Sequence, residues 1–281
     1  MPRTRSVQNI ARRGAAFTGT LLSGLLFLGL SAQPAAADTT LRVGSDLTYP
    51  PYTYTENNLP AGFDPEFIHL ISQQMQVTPA FEDTRFANLI MGVNASRFDV
   101  IASALYVTPE RAAQVEFIPY FETGSSIVVR TDNDSAPKTA EDLCGLKVGS
   151  IQGASWLPKL QDVSDNYCVP KGLEPIESRE FPTSPEAAQA LMSNAIDAQF
   201  EDAAVAQILS TKLQGRVQIS SQKLLYPVVV GLAVKRGNTE LKQQIEAAIT
   251  AIRENGQYAS LLAKYNLAAP APEHVKAALG Q

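Results

Sequence analysis

The stretch Phe98-Asp99-Val100-Ile101-Ala102-Ser103-Ala104-Leu105-Tyr106-Val107-Thr108-Pro109-Glu110-Arg111 decides the fold. It opens on a β-rich run near Val100–Ala102 and passes through small residues. It ends at Thr108-Pro109-Glu110-Arg111, which reads as a short helix with Thr108 as cap and Pro109 in its first turn. A short strand feeding a capped helix is the repeating unit of α/β proteins.

The same rhythm extends both ways. Upstream, Leu41–Ser45 reads as the first strand. Asp64-Pro65-Glu66 reads as a helix start with Asp64 as cap, followed by the apolar stripe Phe67, Ile68, Ile71 and Met75. A strand near Val77–Phe81 and a helix carrying Phe86, Leu89, Ile90 and Val93 complete this series. Downstream, after a loop around Gly124, strands are expected at Ser126–Arg130, Lys147–Ser150, Leu173–Phe181, Ala198–Phe200 and Val228–Lys235. Helices are expected after the Gln152-Gly153 turn, from a cap at Ser184-Pro185-Glu186 to near Asn194, and over Asp202–Thr211, Thr239–Asn255 and Gln257–Tyr265. This predicts an α/β fold with largely parallel sheets and an Ala/Pro-rich, peripheral tail from Ala268.

The chain begins with Arg3, Arg5, Arg12 and Arg13 and no acid, then an apolar run from about Ala15 to Leu30, then Ala35-Ala36-Ala37-Asp38. That order predicts a secretory signal peptide over residues 1–37 with cleavage after Ala37, and export to the periplasm. Removing it takes away four of 23 basic residues and none of 28 acids, so the mature 244 residues carry a net charge of −9. An acidic chain without a basic stripe is a poor partner for nucleic acid. In an oxidising compartment the isolated pair Cys144 and Cys168 reads as a disulfide. Two cysteines and two distant histidines suggest no metal site, and no motif calls for a cofactor.

Five segments together resemble the amino-acid-binding family of bacterial extracellular solute-binding proteins, the periplasmic components of polar amino acid ABC transporters. They are Val43-Gly44-Ser45-Asp46-Leu47-Thr48-Tyr49-Pro50-Pro51-Tyr52, Gly62-Phe63-Asp64-Pro65-Glu66, the opening stretch extended to Val115-Glu116-Phe117, Gly149-Ser150-Ile151-Gln152-Gly153-Ala154-Ser155, and Ala198-Gln199-Phe200-Glu201-Asp202. The resemblance runs from about Leu41 to Leu267 and implies a two-lobed periplasmic binding protein (Venus-flytrap) fold with two crossing hinge strands. Lobe 1 would comprise 38–123 and 227–281, and lobe 2 residues 124–226. It further implies a monomer that closes on a small zwitterion, an L-amino acid or close relative, and presents the closed form to an ABC permease.

On that resemblance Arg111 takes the ligand's carboxylate, since a guanidinium donates two parallel hydrogen bonds, and Asp202 takes the ammonium. Ser103 and Ser155, with backbone amides around Ala104, Tyr106 and Ala154, complete the polar shell. Tyr49, Phe86 and Tyr106 line the side-chain pocket with Asp46 below, an arrangement that suits a polar or cationic ligand. Two positions depart from the family: Tyr106 stands where many members have Ser or Thr, and Ala104 replaces another frequent serine.

Two other readings compete. A cyclohexadienyl-dehydratase-like enzyme on the same fold could use Glu201 as general acid, but side-chain alternation along a strand turns Glu201 away from the cleft if Asp202 faces it. No nucleophile motif supports other catalysis. A ligand sensor would dock a membrane receptor in place of a permease.

Overall fold

The computed structural model describes residues 39–133 and 136–280. The leader and its cleavage point at Ala37 lie outside the described residues. In chain order the strands are β1 Thr40–Ser45, β2 Thr48–Tyr49, β3 Thr53–Glu56, β4 Leu59–Ala61, β5 Thr78–Asp83, β6 Val100–Ile101, β7 Val115–Arg130, β8 Lys147–Ile151, β9 Glu177–Phe181, β10 Ala198–Asp202, β11 Val217–Ile219 and β12 Leu225–Lys235. The helices are α1 Phe63–Met75, α2 Leu89–Asn94, α3 Pro109–Ala112, α4 Leu157–Val163, α5 Ser184–Met192, α6 Ala203–Lys212, α7 Thr239–Glu254, α8 Gln257–Lys264 and α9 Pro272–Leu279.

The main sheet runs β5-β1-β6-β12-β7-β10-β8-β9, with β11 on β7. Pairing is parallel on both flanks, β5-β1-β6 and β10-β8-β9. It is antiparallel at the centre, where β7 meets β12, β10 and β11. The first part of β7, Val115 to Thr123, pairs with β12, and its second part, Ser125 to Arg130, pairs with β10 and β11. The sheet therefore has two halves with β7 and β12 running between them, the two-lobed architecture with crossing strands. No helix among the described residues is long and apolar enough to cross a membrane.

Three local readings needed correction. β7 runs unbroken through Gly124, where the sequence suggested a loop. Pro119, which cannot donate to a ladder, hid the strand's first half, and it sits beside the register shift opposite Gly231 where a missing N–H is tolerated. Asp64 does not cap α1. Gly62 holds that position at φ 112, and the Phe63 and Asp64 amides donate to the Pro51 and Tyr52 carbonyls. Asp64 turns inward, accepting from Tyr120 Oη at 2.6 Å and the Ala104 amide at 2.8 Å. Thr183, not Ser184, caps α5 through the Glu186 amide, which frees the Ser184 hydroxyl for Glu201.

The first sheet half packs α1, α7 and α8 around stacked rings: Phe63, Phe67, Tyr120 and Phe121 lie 4.8–5.8 Å apart between centroids. Burying rings of this size is worth about 2–3 kcal/mol each before entropy. The second half is braced by the Cys144–Cys168 disulfide, as expected from the isolated pair. The tail beyond Ala268 folds as α9, whose Val275, Ala278 and Leu279 pack against the core cluster containing Val229.

Candidate ligand-binding site

Arg111 is positioned by the turn that opened the sequence reading. Thr108 is extended and its hydroxyl accepts from the Arg111 amide at 3.3 Å, while Pro109 starts α3. The guanidinium is buried; Nη1 donates to the Tyr106 carbonyl at 2.9 Å and Nη2 to the Gly153 carbonyl at 3.0 Å. Its carbon lies 5.4 Å from the Phe86 ring centroid. Burial lowers its pKa to about 10, which leaves it a cation at neutral pH. Gly153 follows β8, so this one side chain joins both sheet halves.

Arg111 lines a cavity of about 10 Å³ with Tyr49, Phe86, Ala104, Tyr106, Ile151, Ala154, Ser155 and Trp156. That volume holds about one water. An amino acid needs more room than that. Seven of the expected binding residues line this cavity: Tyr49, Phe86, Ala104, Tyr106, Arg111, Ala154 and Ser155.

The other three lie behind its walls. Asp46 is buried and fixes the Phe86 wall: Oδ2 accepts from the Phe86 amide at 2.8 Å, and Oδ1 from Thr48 Oγ1 at 2.6 Å, with Arg85 Nη1 at 3.0 Å. Burial raises the Asp46 pKa, against the pull of those donors. Ser103 accepts from the Asp46 amide at 3.0 Å. The Ala104 amide donates to Asp64 and the Ala154 amide to the Ile151 carbonyl, so two of the three expected backbone donors have protein partners.

Asp202 ends β10 and caps α6. Oδ1 accepts from the Ala204 amide at 2.8 Å, the Val205 amide at 3.3 Å and Tyr52 Oη at 2.9 Å. Oδ2 accepts from Tyr106 Oη at 2.6 Å and Thr123 Oγ1 at 3.0 Å. Glu201 does not line the cavity; it accepts from Tyr49 Oη at 2.6 Å and from Ser184, Gln199 and the Asp202 amide. Glu201 shares a strand face with Gln199, two residues back along β10, as alternation requires, and its side chain also accepts from the next amide. Burial raises both carboxyl pKa values and pushes the Tyr49, Tyr52 and Tyr106 phenols well above their ordinary value, so the phenols stay protonated donors.

Sequence reasoning missed Tyr52, Thr123, Ile151 and Trp156. Trp156 was the most findable, as the single tryptophan of the chain directly after the Gly153-Ala154-Ser155 turn. It stands edge-on to Tyr106 at 5.5 Å and donates to Ser150. Among the described residues no group of three or more His, Cys, Asp or Glu is placed to hold a metal ion.

The chain is similar to proteins named for amino-acid binding. The L-arginine-binding protein of Pseudomonas aeruginosa is 28% identical over 257 residues, covering 87% of this chain and 95% of its own. The ABC transporter arginine-binding protein 1 of Escherichia coli is 28% identical over 231 residues, covering 80% and 89%. Among solved structures, an ancestral arginine-binding protein bound to arginine matches with TM-score 0.73 and 32% identity over 80% of this chain and 97% of that one. The ancestral amino acid-binding protein AncCDT-1, a precursor of cyclohexadienyl dehydratase, matches with TM-score 0.70 and 28% identity over 80% and 95%. The model of bacterial extracellular solute-binding proteins, family 3, matches residues 41–268, and the chain belongs to that family.

Proposed function

We propose that the chain captures an amino acid or similar small zwitterion in the periplasm and delivers it to the permease of an ABC importer. In this reading residues 38–123 and 227–281 form one lobe and 124–226 the other, the leader is cleaved after Ala37, and the mature protein acts as a monomer. The observation that carries the reading is Arg111: a buried guanidinium on a cavity wall whose hydrogen-bond partners are two neutral carbonyls. A buried cation paired only with dipoles calls for an anion, and a ligand carboxylate supplies it. The relatives named as arginine-binding proteins support an amino acid as the carrier of that carboxylate. Tyr49, Phe86, Ala104, Tyr106, Ala154, Ser155 and Trp156 enclose it, Asp46 and Ser103 hold the walls, and Asp202 anchors the far side through Tyr106.

We favour binding over catalysis because Glu201, the acid a dehydratase would need, accepts four hydrogen bonds and is held in place by them. Calorimetry with arginine, lysine, histidine, glutamine, glutamate and ectoine-like solutes tests the reading. Saturable binding lost in Arg111→Ala supports it. Turnover of prephenate or arogenate by the purified protein, or binding that ignores Arg111, overturns it.

A further inference from the structure

The cavity wall carries one charged side chain, Arg111, and four aromatic ones, Tyr49, Phe86, Tyr106 and Trp156. A zwitterion brings a second charge, and a free ammonium brings it with three N–H donors that must be paired when buried. Asp202 is the carboxylate expected to pair them, yet five donors already occupy its two oxygens. A carboxylate offers about four lone-pair sites. Two of those donors are amides that start α6 and cannot leave without uncapping it. Tyr106 Oη is the donor on the cavity side, and if displaced its remaining acceptor is the Gly124 carbonyl at 3.4 Å. An entering ammonium therefore trades a short bond between phenol and carboxylate for a phenol left with a long contact to a neutral carbonyl.

We infer that this site selects a carboxylate whose positive centre bears no N–H, a fully N-alkylated amino acid of the betaine class, with Arg111 on the carboxylate and the walls of Tyr49, Phe86, Tyr106 and Trp156 around the cation. The inference rests on Arg111 as carboxylate receptor. An alkylated ammonium donates no hydrogen bond and is attracted to aromatic rings, so it leaves the Asp202 network whole. Within this cavity a free ammonium breaks that network or stays unpaired, and either is costly in a dry site. Tyr106 is then the specificity-determining residue: its hydroxyl closes the carboxylate to the ligand and its ring supplies a wall in place of it.

The test is titration calorimetry of the intact mature protein with two matched pairs: L-alanine against N,N,N-trimethyl-L-alanine, and L-proline against N,N-dimethyl-L-proline. The methylated member of at least one pair should bind at least about tenfold more tightly than its partner, the size of one charge-assisted hydrogen bond. Tyr106→Phe keeps the ring and frees the cavity-side lone pair of Asp202 Oδ2, which retains Thr123, so it should shift that ratio toward the free ammonium by at least about tenfold. Tighter binding of the free amino acid in both pairs overturns the inference, as does binding of no member or a ratio unchanged in Tyr106→Phe. The native-protein comparison decides the matter even if the variant does not fold. Arg111-dependent binding of arginine or histidine in the wider panel would leave the proposed function standing while this inference fails.

Discussion

Tyr49 and Glu201, 152 residues apart in sequence, meet in the closed centre of the molecule with Tyr49 Oη donating to Glu201 Oε1 at 2.6 Å. Beside them Tyr52 and Tyr106 donate to Asp202 at 2.9 Å and 2.6 Å. Three phenols near the first sheet half thus grip two adjacent carboxylates at the end of β10 in the second. Each such bond to a buried carboxyl is worth about 0.5–1.5 kcal/mol, and more where the acceptor carries charge. Together they tie the two halves to each other.

Removing two of these hydroxyls should loosen the closed form without unfolding either half. Tyr49→Phe combined with Tyr52→Phe keeps both rings, the second stacked on Phe121 and the first tilted against the second at 6.1 Å, while deleting the donors. Small-angle scattering of the ligand-free variant should give a larger radius of gyration than the wild type. Emission from Trp156, the single tryptophan, should shift to the red as it gains water. An unchanged radius together with unchanged emission would show that the hydroxyls do not hold the halves together.

Arg111→Ala should weaken capture of the tightest ligand in the panel by roughly two to three orders of magnitude, the cost of leaving a buried ligand carboxylate unpaired. Arg111→Lys should fall between, because an ammonium keeps the charge but lacks the planar fork that reaches the Tyr106 and Gly153 carbonyls together. Calorimetry on both variants checks the order; equal affinity in wild type and Arg111→Ala would remove Arg111 from the site.

The turn bearing Arg111 was legible because cap, proline and arginine are local features, and a four-residue pattern determines their geometry. The strand-helix rhythm was legible for the same reason. What sequence reasoning missed depends on partners far along the chain. Asp64 looked like a cap because Pro65 follows it, but the carboxylate is claimed by Tyr120, 56 residues on. Alternation turned Glu201 away from the cleft, but only the fold brings Tyr49 to it. Tyr106 was visible as a departure from the family, while the consequence of its longer reach, a hydroxyl on Asp202, needed both halves of the sheet in place.

The disulfide closes a separation of 24 residues between Cys144, just after the short turn Glu141–Leu143, and Cys168, at the end of the helical turn Ser164–Cys168 that follows α4. On the chain-entropy model it stabilises by about 3–4 kcal/mol. Cys144→Ala with Cys168→Ala should therefore lower the denaturation midpoint substantially while sparing ligand contacts, since neither cysteine lines the cavity. Chemical denaturation of the double variant against the oxidised wild type measures the difference. A midpoint within error of the wild type would show that the loop is already constrained in the unfolded chain.

Asp64 gives the stability a pH dependence of definite sign. It is fully buried, and burial pushes its carboxyl up to about 7 despite the bonds from Tyr120 and Ala104. In the unfolded chain the group releases its proton near 3.9. Between about pH 4 and pH 7 the native state therefore holds a proton that the unfolded state has lost. Stability then falls as pH rises through that window and levels off above it, by an amount on the order of a few kcal/mol. Asp46, Glu201 and Asp202 are shifted in the same direction, so the wild-type slope alone does not isolate Asp64. Asp64→Asn does: the amide keeps an oxygen for the Ala104 N–H and presents an NH₂ to the Tyr120 oxygen, but it does not titrate. Calorimetric melting from pH 4 to pH 8 should show a shallower decline for Asp64→Asn than for the wild type. Parallel curves would mean that Asp64 is ionised throughout, with its two hydrogen bonds outweighing the cost of burial.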